Sequence, residues 1–188
     1  MAQLGVVRVR IPCIRDTPWK PNERTVDRLG LAANDVKAIE DAYAASNKRV
    51  LDQIKPLCAK ALGGAEVAEK VGATACIDAI QNSAKKADPK AAKDALSRAA
   101  EVQAGKRTAQ AGGDTLPLEQ LANVLAGESR AFEADLAKKL GPEEAKRIAN
   151  DPGMCAERRT LRTSDEPPER EGRGGGGRGG RGGGGAGE

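Results

Sequence analysis

Residues 34–62 read NDVKAIEDAYAASNKRVLDQIKPLCAKAL, and this segment sets the class of the protein. Its apolar side chains recur every three, four or seven residues, which is the spacing of one α-helix face: Val36, Ile39, Tyr43, Val50, Ile54, Leu57 and Ala61. Asn34 and Asp35 suit the start of a helix, and Gly63-Gly64 suits its end. Pro56 is expected to kink or divide the helix, because its ring removes a backbone hydrogen bond.

Further helices are predicted on both sides of this segment. The first closes at Gly30, which suits a left-handed cap. Asp88-Pro89 combines an N-cap with a proline in the first helical turn. A break at Gly72 interrupts one of the predicted regions. The predicted helical regions are residues 23–29, 34–62, 65–86, 89–103, 117–140 and 142–150.

These helices predict an all-α fold, an irregular bundle of about five to six helices. Val7, Val9 and Ile11 alternate with arginines in the period of a β-strand. No second strand is predicted, so residues 1–22 are expected to form an extended arm lying on the helices. The helical domain is placed at residues 23–156. Apolar periodicity then stops, and residues 157–188 are predicted to be a disordered Arg/Gly-rich tail.

The composition limits both the core and the range of functions. The 188 residues include one Trp, one Tyr and one Phe, so the core is expected to be thin and aliphatic. Few aromatic residues also weaken the case for a nucleotide pocket. No apolar run approaches the roughly 20 residues that span a bilayer, and Met1–Arg10 has no signal-peptide core. The sequence as written predicts a cytoplasmic protein, or a periplasmic one if the N-terminus is incomplete.

No catalytic, cofactor-binding or metal-binding residues are predicted. The chain contains no histidine, which removes the commonest catalytic base and zinc ligand. Its four cysteines contain no CxxC pair. In an oxidising compartment we expect Cys58 to bond to Cys76 across a helical hairpin, and Cys13 to bond to Cys155 and tie the chain ends together. The alternative is four reduced thiols in a cytoplasmic protein.

Polar residues interrupt both long apolar stripes. Asn47, beside Ser46, lies between Tyr43 and Val50, and Glu128 lies in the stripe of the 117–140 helix. If these two helices pack together, Asn47 and Glu128 are candidates for a central polar layer that fixes their register. Two alternatives remain open at this stage. Gly127 bends the helix and lets Glu128 reach water, or the polar groups form a ligand site.

The C-terminal segment contains three Arg-Gly-Gly units, which begin at Arg173, Arg178 and Arg181. These units resemble the RGG segments of RNA-binding proteins, in which guanidinium groups pair with phosphates and stack on bases. Three arginines without interleaved aromatic residues predict weak, non-specific RNA contact. A low-complexity tail without a specific function is the alternative.

Two helix starts resemble those of the small helical envelope-stress proteins of the Spy/CpxP type. They are Leu29-Gly30-Leu31 before NDVKAIEDAY, and Leu140-Gly141-Pro142 with Glu143-Glu144 before AKRIA. That family carries an LTxxQ signature, where this chain has Ala32 and Asp35 in place of Thr and Gln. The resemblance implies a periplasmic, non-enzymatic helical protein that binds unfolded clients or a sensor partner.

The sequence therefore predicts a non-catalytic helical interaction module of a stress- or chaperone-related kind, with an unidentified protein partner. Its contact surface is expected on a helix face or in the groove between the two long helices. The alternative function is weak, non-specific RNA binding through the tail.

Overall fold

A computed structural model describes residues 6–15, 17, 19–108 and 115–163 of the chain. Within these residues the all-α prediction is confirmed, with seven helices and one two-stranded sheet. The predicted helical region 65–86 is interrupted at Gly72 and forms two helices, so the number of helices exceeds the predicted five to six. The elements are β1 (Val6–Pro12), α1 (Glu23–Leu29), α2 (Ala33–Leu62), α3 (Ala65–Lys70), α4 (Ala73–Ala87), α5 (Pro89–Gln103), α6 (Pro117–Leu140), α7 (Pro142–Ala149) and β2 (Ala156–Arg162).

Local signals set most of the helix ends. The Asp88 carboxylate accepts a hydrogen bond from the backbone N–H of Ala91 at 2.9 Å and caps α5 as predicted. Gly30 ends α1 with φ of 65°, a conformation that favours glycine. Of the two outcomes predicted for Pro56, a kink or a division of the helix, the division does not occur, because α2 continues through the proline. Buried Ile54 and Leu57 hold this turn against the core on either side of the proline.

The prediction of a lone N-terminal strand was also wrong. β1 pairs antiparallel with β2, and Val7 lies opposite Leu161. Residues 157–162 therefore belong to the folded body, and the predicted tail boundary at 157 was too early. The remainder of that tail, from residue 164, lies outside the described residues, as does the start of the predicted arm.

The core consists of two apolar clusters along the packed pair α2 and α6. One cluster joins α4, α5 and the inner face of the sheet to this pair. The other contains the rings of Trp19, Tyr43 and Phe132. The ring centroids of Trp19 and Tyr43 are 5.0 Å apart, and those of Tyr43 and Phe132 are 4.7 Å apart. Buried side chains of α2 and α6 fill the centre of the interface between the two long helices. No described helix is long and apolar enough to cross a membrane.

Candidate functional site

The structure joins the four cysteines in the predicted pairs. Cys58 in α2 is bonded to Cys76 in α4, with Cα atoms 5.1 Å apart. Cys13 and Cys155 lie just beyond the paired ends of β1 and β2, with Cα atoms 5.3 Å apart. Cys13 also donates its backbone N–H to the carbonyl of Cys155 at 3.1 Å. The second bond therefore holds the two strands together where the pairing ends.

Glu128 does not reach water, because its side chain is buried between α2 and α6 with 3% exposure. Arg49 of α2 donates to it from Nε at 3.1 Å and from Nη2 at 2.7 Å. The third guanidinium nitrogen, Nη1, donates to Asp135 at 2.8 Å. The hydrogen bond to Glu128 is the largest contribution to a raised pKa of Arg49. This bidentate contact neutralises Glu128 and gives no support to a ligand site there.

Asn47 takes part in a different contact. Its Nδ2 donates to the carbonyl of Arg15 at 2.8 Å and ties the segment after β1 to α2. The Oδ1 of Asn47 and the Oγ of Ser46 are buried without a hydrogen-bond partner among the described residues. The structure therefore buries both predicted polar residues but does not bond Asn47 to Glu128.

The remaining charged groups near the core are also paired. Glu119, the other buried carboxylate of α6, accepts a hydrogen bond from Arg98 of α5 at 2.7 Å. Burial alone would raise the pKa of Asp135, but hydrogen bonds from Lys138 and Arg49 outweigh it and hold that pKa below its ordinary value. Among the described residues, no group of His, Cys, Asp or Glu side chains is arranged to hold a metal ion. These ion pairs join helices, and none presents a free acid–base pair.

The surface of the sheet is different, because it carries positive charge on one face. The two strands alternate, so that Val7, Val9 and Leu161 point to the core. The side chains that alternate with these, among them Arg8, Arg10, Arg158 and Thr160, point outward to solvent. We call this outward surface the arginine face, and its charged residues are Arg8, Arg10, Arg158 and Arg162.

The strand register brings these arginines together. Arg10 lies directly opposite Arg158, and Arg8 lies opposite Thr160, between the positions of Arg158 and Arg162. Like charges placed opposite each other destabilise an antiparallel pair. No carboxylate of the described residues forms an ion pair with any of these four arginines. On the inner face, by contrast, Arg159 is paired with Glu157 at 2.9 Å.

The arginine face is held by the fold around it. The Oγ of Ser129 in α6 donates to the carbonyl of Arg10. Gln81 of α4 donates to the carbonyl of Arg162 at 3.3 Å. Together with the Cys13–Cys155 bond, these contacts fix both strands against the helices. The arginines therefore stand on a rigid support, which lowers the ordering cost of binding.

The predicted RNA-contact residues Arg173, Arg178 and Arg181 lie outside the described residues. Sequence reasoning placed Arg8 and Arg10 on the polar side of a strand but missed Arg158 and Arg162. The segment 156–162 gave no strand signal of its own. Arg49 was missed as well, because nothing in the sequence around it shows that its guanidinium contacts Glu128 and Asp135 of α6.

Comparison with family models, curated proteins and solved structures finds no match for this chain.

Proposed function

We propose that the protein is a non-catalytic binding module that holds an anionic polymer on the arginine face. The observation that carries this proposal is the placement of Arg10 opposite Arg158, with Arg8 and Arg162 beside them and no carboxylate partner among the described residues. The arrangement costs stability in the free protein and is relieved when an anion binds. An anionic partner therefore accounts for a feature that the fold alone does not.

The chemistry of the face favours a polymer that carries phosphate, sulfate or carboxylate groups. Guanidinium groups bind such groups through two parallel hydrogen bonds. The described part of the face exposes no aromatic ring, since its other outward positions are Val6, Ala156 and Thr160, and Pro12 at the end of β1 is buried. Binding is thus expected to depend on charge and counterion release, with little selectivity among anionic units.

The helical body offers less support for binding unfolded apolar clients. Among the described residues, Val67 is the large hydrophobic side chain that is exposed, at 47%. A groove lined by Leu57, Ala61, Ile80 and Leu116 has a volume of about 240 Å³. Ligand sites usually measure about 300–1,000 Å³. The stress- or chaperone-related role therefore stays a prediction that rests on the Spy/CpxP resemblance.

The two disulfides favour an oxidising compartment over the cytoplasm that the sequence as written predicts. We infer that the protein acts outside the cytoplasm, where acidic polysaccharides are among the available anionic polymers. Heparin, a sulfated polysaccharide, is therefore a suitable first probe.

Replacing all four arginines of the arginine face with glutamine is expected to lower heparin affinity by about a hundredfold at moderate salt. The slope of log affinity against log salt should fall by about 3 to 4, close to one per arginine removed. Both quantities are measured by titrating labelled heparin at several NaCl concentrations.

A matched control removes four exposed positive charges elsewhere, through Arg24→Gln, Lys55→Gln, Lys70→Gln and Lys90→Gln. It has the same net charge as the arginine-face variant but leaves the face intact. We expect it to retain most of the affinity. Equal losses in the two variants would mean that net charge alone drives binding, and would contradict the proposed surface.

RNA binding through the tail is the second candidate. It is favoured by the continuity of the chain, because β2 ends at Arg162 and the three RGG units follow in the same segment. Replacing Arg173, Arg178 and Arg181 with glutamine is expected to reduce the salt slope for single-stranded RNA by about 2. Fluorescence anisotropy with a labelled RNA measures this slope. An unchanged slope would favour a low-complexity tail without a role in binding.

A further inference from the structure

A pocket lies at the end of the sheet that the Cys13–Cys155 bond closes, where β1 meets α6 and the end of α7. We call it the sheet-end pocket, and its volume is about 280 Å³. This is the liquid volume of about nine water molecules, so the pocket suits a molecule much smaller than a polymer. Its lining includes Arg10, Phe132, Glu133, Ala149, Asn150 and Met154.

Two opposite charges line the sheet-end pocket without pairing. Arg10 comes from β1, and Glu133 comes from α6. Neither side chain forms an ion pair with the other or with any further described residue. Their charged atoms are therefore farther apart than the 4.0 Å of an ion pair, and both are available to a ligand that lies between them.

The walls that carry these charges are held in place by the fold. Ser129 lies one helical turn before Glu133 and donates its Oγ to the carbonyl of Arg10. Tyr43 donates its hydroxyl to the carbonyl of Cys155 at 2.8 Å. These bonds tie β1 and the residue before β2 to the two long helices. A ligand that enters the pocket therefore pays little to order its walls.

We propose that the sheet-end pocket binds a small zwitterion, namely a free amino acid with a short apolar side chain. The carboxylate of the ligand binds the guanidinium of Arg10, which can form two parallel hydrogen bonds to it. The ammonium group of the ligand binds the carboxylate of Glu133. A simple anion would be repelled by Glu133 and a simple cation by Arg10, whereas a zwitterion pairs with both.

The other lining residues suit the same class of ligand. Asn150 uses its Nδ2 to donate to the carbonyl of Lys146 at 2.9 Å, which leaves its Oδ1 as an acceptor. An ammonium group has three N–H donors, so this oxygen can bind it together with Glu133. Phe132 and Met154 are 4% and 6% exposed and present a small apolar surface. Such a surface suits a short aliphatic side chain and does not form the aromatic cage that quaternary ammonium ligands require.

The first experiment titrates the full-length, isotope-labelled protein with L-alanine, L-valine and L-leucine and follows the backbone amide signals by NMR. We expect the signals of Ile11, Phe132 and Ala149, which line the pocket, to shift most. Two analogues of leucine test the need for both charges: 3-methylbutylamine lacks the carboxylate, and 4-methylpentanoate lacks the amine. Each is expected to bind at least about tenfold more weakly than leucine.

Two outcomes of this titration would overturn the proposal. One is the absence of shifts in the pocket signals with all three amino acids at about 10 mM. The other is an affinity for either analogue equal to that for leucine, because the ligand would then need one charge and not two.

The second experiment removes each charge from the protein. Arg10→Gln and Glu133→Gln are each expected to weaken amino-acid binding about tenfold, because each loses one charge-assisted contact. Arg24→Gln and Glu143→Gln are the matched controls, since they remove the same charges from exposed positions outside the pocket. Equal affinities in Glu133→Gln and Glu143→Gln would contradict the proposed site.

Glu133 also separates this inference from the proposed function, on which it does not depend. Arg10 belongs to both sites, but Glu133 lies outside the arginine face. Glu133→Gln should therefore weaken amino-acid binding without weakening heparin binding. Amino-acid binding without heparin binding would support the pocket and overturn the polymer proposal. Heparin binding that needs the four arginines, without shifts in the pocket signals, would overturn the pocket alone.

Discussion

Replacing Cys13 and Cys155 with alanine is expected to lower the free energy of unfolding by about 5 kcal/mol. This bond spans 142 residues, so its loss releases nearly the whole folded body from a closed loop. The entropy of a closed loop grows with its length, which makes this the larger of the two disulfide effects. The bond also ends a two-stranded ribbon, and an isolated ribbon of this kind is marginally stable. Urea denaturation without reductant measures the change.

The second disulfide provides the matched control. Cys58→Ala with Cys76→Ala removes a bond that spans 18 residues, for which the same relation gives about 3 kcal/mol. Alanine avoids leaving a buried hydroxyl, since both of these cysteines are fully buried. An equal loss in the two double variants would contradict the loop-length argument. It would also show that the ribbon does not depend on the Cys13–Cys155 bond.

Local sequence signals were sufficient for the helices because their ends are set by neighbouring residues. The Asp88-Pro89 pair and the glycine at position 30 each determine a cap within one turn of chain. β2 could not be found in this way. Its sequence AERRTLR contains one buried residue, Leu161, so no alternating apolar pattern is present. The strand forms because it pairs with β1, which supplies its backbone hydrogen bonds. The two strands are distant in sequence, since 142 residues separate the cysteines that join them.

The candidate site depends on the same long-range pairing. Arg8 and Arg10 are visible as the polar side of an alternating segment, but two arginines on an arm suggest little. The arginine face appears only when the register places Arg158 opposite Arg10. The disulfide pairs were predictable, because a helical hairpin and the chain ends brought the cysteines together in pairs. The contact made by Arg49 could not be predicted, since its place among the polar residues of α2 gives no sign that its guanidinium reaches α6.

Replacing Arg49 with alanine is expected to destabilise the protein by about 3–5 kcal/mol, because it leaves Glu128 as an unpaired buried carboxylate. Glu128 would lose both of its hydrogen bonds from Arg49, and Asp135 would lose one. The lowered pKa of Asp135 means that its charged form contributes stability above its ordinary pKa, and this is lost as pH falls through the lowered value. The Arg49→Ala variant should lose part of this contribution at neutral pH.

The neighbouring residue supplies the control for this prediction. Lys48 pairs with Asp52 at 2.6 Å on the exposed side of α2, where the side chains are 77% and 59% exposed. Lys48→Ala is expected to cost less than about 1 kcal/mol, because an exposed ion pair loses little when it is broken. Thermal or urea unfolding of both variants at neutral pH makes the comparison. A loss for Arg49→Ala as small as that for Lys48→Ala would mean that water replaces the guanidinium around Glu128.

A double variant then separates the ion pair from the burial that surrounds it. Arg49→Met with Glu128→Leu removes both charges and keeps apolar volume between α2 and α6. Replacing a buried pair with apolar residues is often neutral or stabilising, because neither charge then has to leave water. We therefore expect the double variant to be more stable than Arg49→Ala. Asp135 keeps its hydrogen bond from Lys138 at 2.7 Å, so it is not left without a cation. If the double variant is no more stable than Arg49→Ala, the cost lies in lost packing at position 49, and the unpaired Glu128 carboxylate is not its cause.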